Sequence, residues 1–191
     1  AAAAGPCGMS RTVATWNVNS LRVRLPHLTQ WLATNPVDVI ALQETKLPDA
    51  DFPAADLQAL GWNSAFSGQR TYNGVAILSR EPATDVVAGI PGFDDEQRRV
   101  LAASLGSLRV IDVYVPNGQT VGSDKFAYKL RWFDALREYV AAELTRHPHL
   151  VVLGDYNVAP EDRDVHDPKA WEGAVHVSEP ERAALRALLA T

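Results

Sequence analysis

The stretch VVLGDYNVAP (151–160) decides how this chain is read. Val151, Val152 and Leu153 form an apolar run of the kind found in strands buried on both faces. Gly154 interrupts it. A carboxylate and an amide then follow two apart, at Asp155 and Asn157. Turn chemistry accounts for Gly-Asp-Tyr-Asn, since these residue types favour turns. A strand that delivers polar groups to a catalytic edge also accounts for it, but demands more than a turn does.

The segment before it reads as a long helix over roughly 123–146, ended by Pro148. Its apolar stripe is Phe126, Leu130, Phe133, Leu136, Val140 and Leu144. The segment after it is irregular and acidic. Ser178-Glu179-Pro180-Glu181 then has capping-box spacing with proline in the first turn. It announces a helix of about 179–190 with Leu185, Leu188 and Leu189 inward. Near the start, TVATW (12–16) is a strand candidate. Leu21, Leu25, Leu28, Trp31 and Leu32 follow at helical spacing, and that helix should stop before Asn35-Pro36. VDVIAL (37–42) reads as a second buried strand, and a short helix fits around 53–60. The middle reads as strands at 62–66, 74–79, 84–88, 100–104 and 108–115, punctuated by Gly, Asn and Pro. The alternation of helices and strands predicts a layered α/β fold.

Composition narrows the function. The chain has 191 residues, enough for one sizeable core without a clear second domain. No run of about eighteen apolar residues occurs, so no transmembrane helix is expected. The opening AAAAGPCGMS is unlike folded sequence and lacks a secretory signal's regions. Residues 1–8 are read as a leader, tag or disordered extension, and 9–191 as the domain. The single cysteine, Cys7, lies in that extension, which excludes a disulfide framework and a Cys-based zinc site. This suits a cytoplasmic location. A net charge of −5 argues against bulk-charge binding of nucleic acid. Basic residues nonetheless gather at Arg22 and Arg24, at Arg98 and Arg99, and at Lys125, Lys129 and Arg131.

Strand ends are where open α/β sheets collect ligands. Asn17 and Asn19 follow TVATW. Gln43, Glu44 and Lys46 follow VDVIAL. Tyr114 and Asn117 close LRVIDVYV. Asp155 and Asn157 follow HLVVL. Any one pair is explained by a turn; four at matching positions weaken that explanation. Glu44 and Asn17 supply hard oxygen ligands suited to magnesium. Asp155 is suited to orient or deprotonate a water. Asn157 and Tyr114 are suited to donate hydrogen bonds to charge developing on a phosphoryl oxygen. Metal-assisted phosphodiester hydrolysis uses all these parts.

WNVNSLRVR (16–24), DVIALQETK (38–46), NGVAILSR (73–80), DDEQRRVLA (94–102), VYVPNG (113–118), KFAYKLRWF (125–133) and VLGDYNVAP (152–160) occur in this order. Together they closely resemble the exonuclease III family of abasic-site endonucleases, in the endonuclease/exonuclease/phosphatase superfamily. The resemblance covers about 11–190. It implies a DNase I-like sandwich of two mixed β-sheets flanked by helices, acting as a DNA repair phosphodiesterase with Mg2+ or Mn2+. The implied substrates are double-stranded DNA with abasic sites, cut on the 5′ side, and 3′ ends, trimmed 3′ to 5′. By the same resemblance Glu44 is the metal-binding glutamate with Asn17 beside it. Tyr114 meets the scissile phosphate, Asp155 aligns the attacking water, and Asn157 assists it. Arg99, Lys125 and Lys129 match positions near the DNA backbone. Lys46 either supports Glu44 or is a solvated charge. A monomer associated with the bacterial nucleoid is expected, with no membrane partner.

The family pattern continues past the final helix with a second aspartate or asparagine and a closing Ser-Asp-His. None of these occurs here. His166 and His176 are read as structural or exposed, not catalytic. The chain is therefore expected to be an incomplete domain, weak or inactive alone. Two other readings stay open. Relatives in the superfamily hydrolyse lipid or inositol phosphates on the same fold, and a non-catalytic fragment would only bind DNA or a protein.

Overall fold

The computed structural model describes residues 10–191, so the expectations for residues 1–8 and Cys7 lie outside the described residues. The first half carries β1 (Val13–Asn17), α1 (Leu21–Thr34), β2 (Val39–Gln43), α2 (Ala54–Ala59), β3 (Asn63–Ser67) and β4 (Val75–Ser79). The second half carries β5 (Thr84–Ala88), β6 (Val100–Leu105), β7 (Leu108–Tyr114), α3 (Asp124–Arg146), β8 (Leu150–Asp155) and α4 (Glu179–Leu189). The strands form two four-stranded sheets, ordered β1-β2-β4-β3 and β5-β6-β7-β8. Each is mixed: β1 runs parallel to β2, and β7 parallel to β8, while the remaining pairs are antiparallel.

The alternation of side chains along each strand builds the layers. On β2, Ile40 and Leu42 face α1 and α2, joining Leu21, Leu28, Leu57 and Trp62 in one core. Val39 and Ala41 face the opposite way, where they meet Leu101, Ala103, Val110 and Leu153 of the second sheet. On β7, Ile111 and Val113 pack beneath α3 and α4 with Trp132, Phe133, Leu136 and Leu185. The order through the molecule is thus helix, sheet, sheet, helix. β2 and β4 are buried throughout because both faces are covered.

The same alternation assigns the strand ends. Thr15 and Asn17, Gln43, Asp112 and Tyr114, and Asp155 all fall on the face that looks at the opposing sheet. The parallel registers set Asn17 opposite Gln43 and Tyr114 opposite Asp155. Four carboxy-terminal strand ends therefore meet at one rim of the sandwich.

Three expectations are corrected. The buried face of α3 is rotated from the expected stripe: Leu144 is exposed, while Lys129, Trp132, Tyr139 and Glu143 are buried. Charged side chains inside that face hid its phase. On α4, Leu185 and Leu188 are buried but Leu189 is 73% exposed, past the edge of the packed stripe. The capping box at Ser178 does not form. The Ser178 hydroxyl instead donates to Glu181, whose carboxylate accepts the backbone N–H of His176.

Candidate active site

The loop 44–46 leaves β2 with Glu44 and Lys46 in the left-handed region, at φ 55 and 54. Non-glycine residues there carry backbone strain of about 1–3 kcal/mol each. Backbone hydrogen bonds on both sides sustain it. Ser20 and Leu21 donate to the carbonyls of Glu44 and Thr45, and Thr45 and Lys46 donate to those of Gly74 and Asn73. The result turns the Glu44 carboxylate toward the rim.

There it meets the other strand ends. Asn17 Nδ2 donates to Glu44 Oε1 at 2.9 Å and to Asp155 Oδ2 at 2.8 Å, so one amide links two carboxylates. The Tyr114 hydroxyl donates to the same Glu44 oxygen at 2.9 Å. Lys46 Nζ lies 2.9 Å from Glu44 Oε2 and also donates to Asn19 Oδ1. Lys46 thus forms an ion pair with Glu44. Asn157, at φ 48, donates its backbone N–H to Asp155 Oδ1 and its side-chain amide to the Val115 carbonyl.

Burial pushes the Glu44 carboxyl up, but hydrogen bonds from Asn17, Lys46 and Tyr114 outweigh it and hold it below the ordinary carboxylate value. Burial, reinforced by Glu44, pushes the Tyr114 phenol up to about 12, so it stays a neutral hydrogen-bond donor at physiological pH. Among the described residues no group of three or more His, Cys, Asp or Glu side chains converges. The donors here are the two carboxylates and an amide, all hard oxygen ligands. That set fits a small divalent cation that keeps several waters, as magnesium does. It does not fit a metal needing thiolates or several imidazoles.

The predicted phosphate-facing cations separate. Lys125 is exposed on the first turn of α3. Arg99 is half-buried; its guanidinium lies 4.6 Å over the Tyr114 ring and donates to the Tyr114 carbonyl and to Gln97. Lys129 is a correction: its side chain is fully buried against Glu181 and faces no surface. Helical phase placed it inward, and an ion pair satisfies it there. His166 is exposed, and His176 is half-buried with its ring stacked on Trp171. Burial, then the Lys129 charge, lowers the His176 pKa.

Two clefts flank the cluster. One, of about 350 Å3, is lined by Glu44, Lys46, Gln69, Tyr72, Gln97 and Arg99. The other, of about 580 Å3, runs along Asp155 and Asn157 to Trp171 and His176. Gln69 and Gln97 face the first of these clefts without any signal in the sequence, because glutamines in a loop carry no spacing pattern.

Comparison with known proteins identifies the family of this fold. The model of the Endonuclease/Exonuclease/phosphatase family matches residues 14–181. An exodeoxyribonuclease of Bacillus subtilis is 32% identical over 182 residues, covering 92% of this chain and 69% of that protein. The structure of the 3′ phosphatase NExo from Neisseria, bound to a product DNA hairpin, superposes with a TM-score of 0.93 at 51% identity. It covers 95% of this chain and 71% of that one. An AP endonuclease from Archaeoglobus fulgidus superposes with a TM-score of 0.88 at 37% identity, covering 95% and 70%. The chain spans about seven-tenths of the length of each. Over that span it belongs to the endonuclease/exonuclease/phosphatase family, among the exodeoxyribonucleases and AP endonucleases.

Proposed function

We propose that this chain carries the catalytic rim of a divalent-metal-dependent DNA repair phosphoesterase. It would hydrolyse duplex DNA 5′ to abasic sites and remove nucleotides from 3′ ends. The observation that carries the reading is the Asn17 amide bridging Glu44 and Asp155, with Tyr114 on the same Glu44 oxygen.

Glu44 and Asn17 would hold the magnesium or manganese ion, which supplies Lewis-acid stabilisation of charge on the phosphoryl oxygens. Asp155 orients a water for attack on phosphorus and takes its proton as the P–O bond to the leaving oxygen breaks. Asn157 and the neutral Tyr114 phenol donate hydrogen bonds where negative charge grows. Arg99 and Lys125 lie toward the DNA backbone, where a basic group contributes a salt-dependent share of affinity. No helix of the described residues is long and apolar enough to cross a membrane. A cytoplasmic monomer working on the nucleoid is part of the proposal.

A second reading concerns the 3′ end. Identity to the Neisseria 3′ phosphatase is 51%, against 37% for the Archaeoglobus AP endonuclease. Removal of a terminal 3′ phosphate uses the same water, base and metal on a monoester. Three duplexes separate the activities: an internal abasic analogue, a plain recessed 3′ end and a 3′-phosphorylated end. Each is assayed with magnesium, with chelator and with Glu44→Gln, beside a lipid phosphodiester and an inositol phosphate. Turnover of DNA that disappears with chelator and with Glu44→Gln is expected. Turnover of the lipid or inositol substrate alone would move the chain to the other substrate class. DNA binding without turnover would make it a binding fragment.

A further inference from the structure

Lys129 sits inside α3, between Phe126 and Trp132, with its side chain entirely buried. An ammonium in such a place is kept charged only if its donors are all satisfied. Three acceptors meet it: the Glu181 carboxylate, the Asn157 carbonyl at 2.7 Å and the Asn117 carbonyl at 3.1 Å. Glu181 is equally saturated. It accepts from the backbone N–H of His176 at 2.9 Å and from the Ser178 hydroxyl at 2.6 Å.

The two carbonyls are not arbitrary. Asn157 is fixed at both ends of its own residue, its N–H on Asp155 Oδ1 and its C=O on Lys129. These two anchors bracket its left-handed backbone at φ 48. Asn117 belongs to the turn that leaves β7 just after Tyr114. Gly118, at φ 90, brings that turn down on the lysine: a Cβ there would stand 3.0 Å from Lys129 Cδ. One buried ammonium thus ties together the loops that follow two site strands. One buried carboxylate fastens that ammonium to the start of α4.

We propose that Lys129 and Glu181 are a positioning pair, which sets the backbone of Asn117 and Asn157 and, through Asn157, the aim of the Asp155 carboxylate. The proposal rests on the hydrolytic reading given above. A lysine that contacted DNA phosphate would act on affinity. A buried lysine that aims the water-activating carboxylate acts on turnover.

The test compares wild type with Lys129→Met and Lys129→Arg on the duplex substrates. It also follows amide hydrogen exchange in peptides spanning 114–120 and 153–159. Lys129→Met is expected to lower kcat about tenfold to a hundredfold, as misplacement of a reacting group does. KM should stay within about threefold, because the lost group faces no ligand. Exchange should speed up in both peptides, and Lys129→Arg, which keeps the charge, should recover part of kcat. A raised KM, unchanged kcat and a salt slope of binding reduced by about one would make Lys129 a phosphate contact and overturn the proposal. Unchanged exchange with unchanged kcat would overturn it also. If Lys129→Met does not fold, Glu181→Gln, which keeps the shape and removes the charge, carries the same readouts. If wild type hydrolyses none of the duplexes, the hydrolytic reading fails, and exchange alone decides whether the pair sets the two loops.

Discussion

The Tyr114 hydroxyl donates to Glu44 Oε1 at 2.9 Å, a bond that runs from the end of one sheet to the loop beyond the other. It is possible because β7 ends on the face opposed to the first sheet and the loop 44–46 turns Glu44 back across the gap. Removing the hydroxyl leaves the ring, and with it the Arg99 stack, in place. Tyr114→Phe is therefore expected to melt within a few degrees of wild type. Its turnover on duplex DNA should fall by about ten- to a thousandfold, the range for losing one donor to developing charge. Steady-state rates and a thermal melt of the same preparation check this. Wild-type turnover would remove Tyr114 from the reaction.

Glu44 and Asp155 share one amide donor, Asn17, and Lys46 pairs with Glu44. A divalent ion would neutralise this pair in the folded state alone, because the unfolded chain has no such site. Magnesium is thus expected to raise the melting temperature, by the equivalent of about 2.7 kcal/mol at a hundredfold excess over Kd. Glu44→Gln should abolish the increment. Differential scanning calorimetry with and without magnesium reads it without any substrate. An increment that survives Glu44→Gln would place the ion elsewhere.

Much of this was legible before the structure. The eight strands and four helices fall within a residue or two of the apolar runs that announced them, since apolar periodicity and proline punctuation are local signals. The rim residues Asn17, Glu44, Tyr114 and Asp155 were also legible, because each closes an apolar strand. Lys129 was not. Read as one of a cluster of basic residues it looks like a surface contact. Its partner Glu181 lies 52 residues away and is brought to it only by the packing of α4 on α3. The same holds for Arg109, buried against Glu143 at 2.6 Å. Charges satisfied by distant partners leave no trace in spacing.

Asp112 lies between the sheets with no exposure, accepts from Gln43 Nε2 at 2.7 Å, and leaves Oδ2 without a partner. Burial pushes its carboxyl well above the ordinary value, against the pull of Gln43. With the folded value above the unfolded one, the unfolded state gains by ionising first as pH rises. Stability is therefore lost progressively from the unfolded pKa, about 3.9, upward to the folded pKa. Asp112→Asn removes this ionisation. It is expected to stabilise the protein at pH 7 by roughly 1–3 kcal/mol, the scale of an unpaired buried polar group. The gain should shrink toward zero near pH 4. Urea unfolding at both pH values measures it, and an equal effect at both would show that charge is not the cause.

Gly154 pairs with Val113 in the parallel register of β7 and β8, one step before Tyr114 meets Asp155. Its φ is 144, and a Cβ there would lie 1.9 Å from the Val113 carbonyl oxygen. Backbone cannot retreat as a flexible side chain does, so Ala at 154 must push the two strands apart or change the local backbone. Strain of this kind costs roughly 1–3 kcal/mol for the backbone and as much again for overpacking. For a chain of this size each kcal/mol lowers the melting temperature by about 2–4 °C. Gly154→Ala is therefore expected to melt several degrees lower. It should lose turnover by more than its unfolded fraction explains, because the displaced step carries Asp155 and Tyr114. Melting curves and rates normalised to folded protein check both parts. A variant that melts and turns over as wild type would mean that β8 accommodates a side chain there, and that the glycine in this motif serves the turn and not the strand pair.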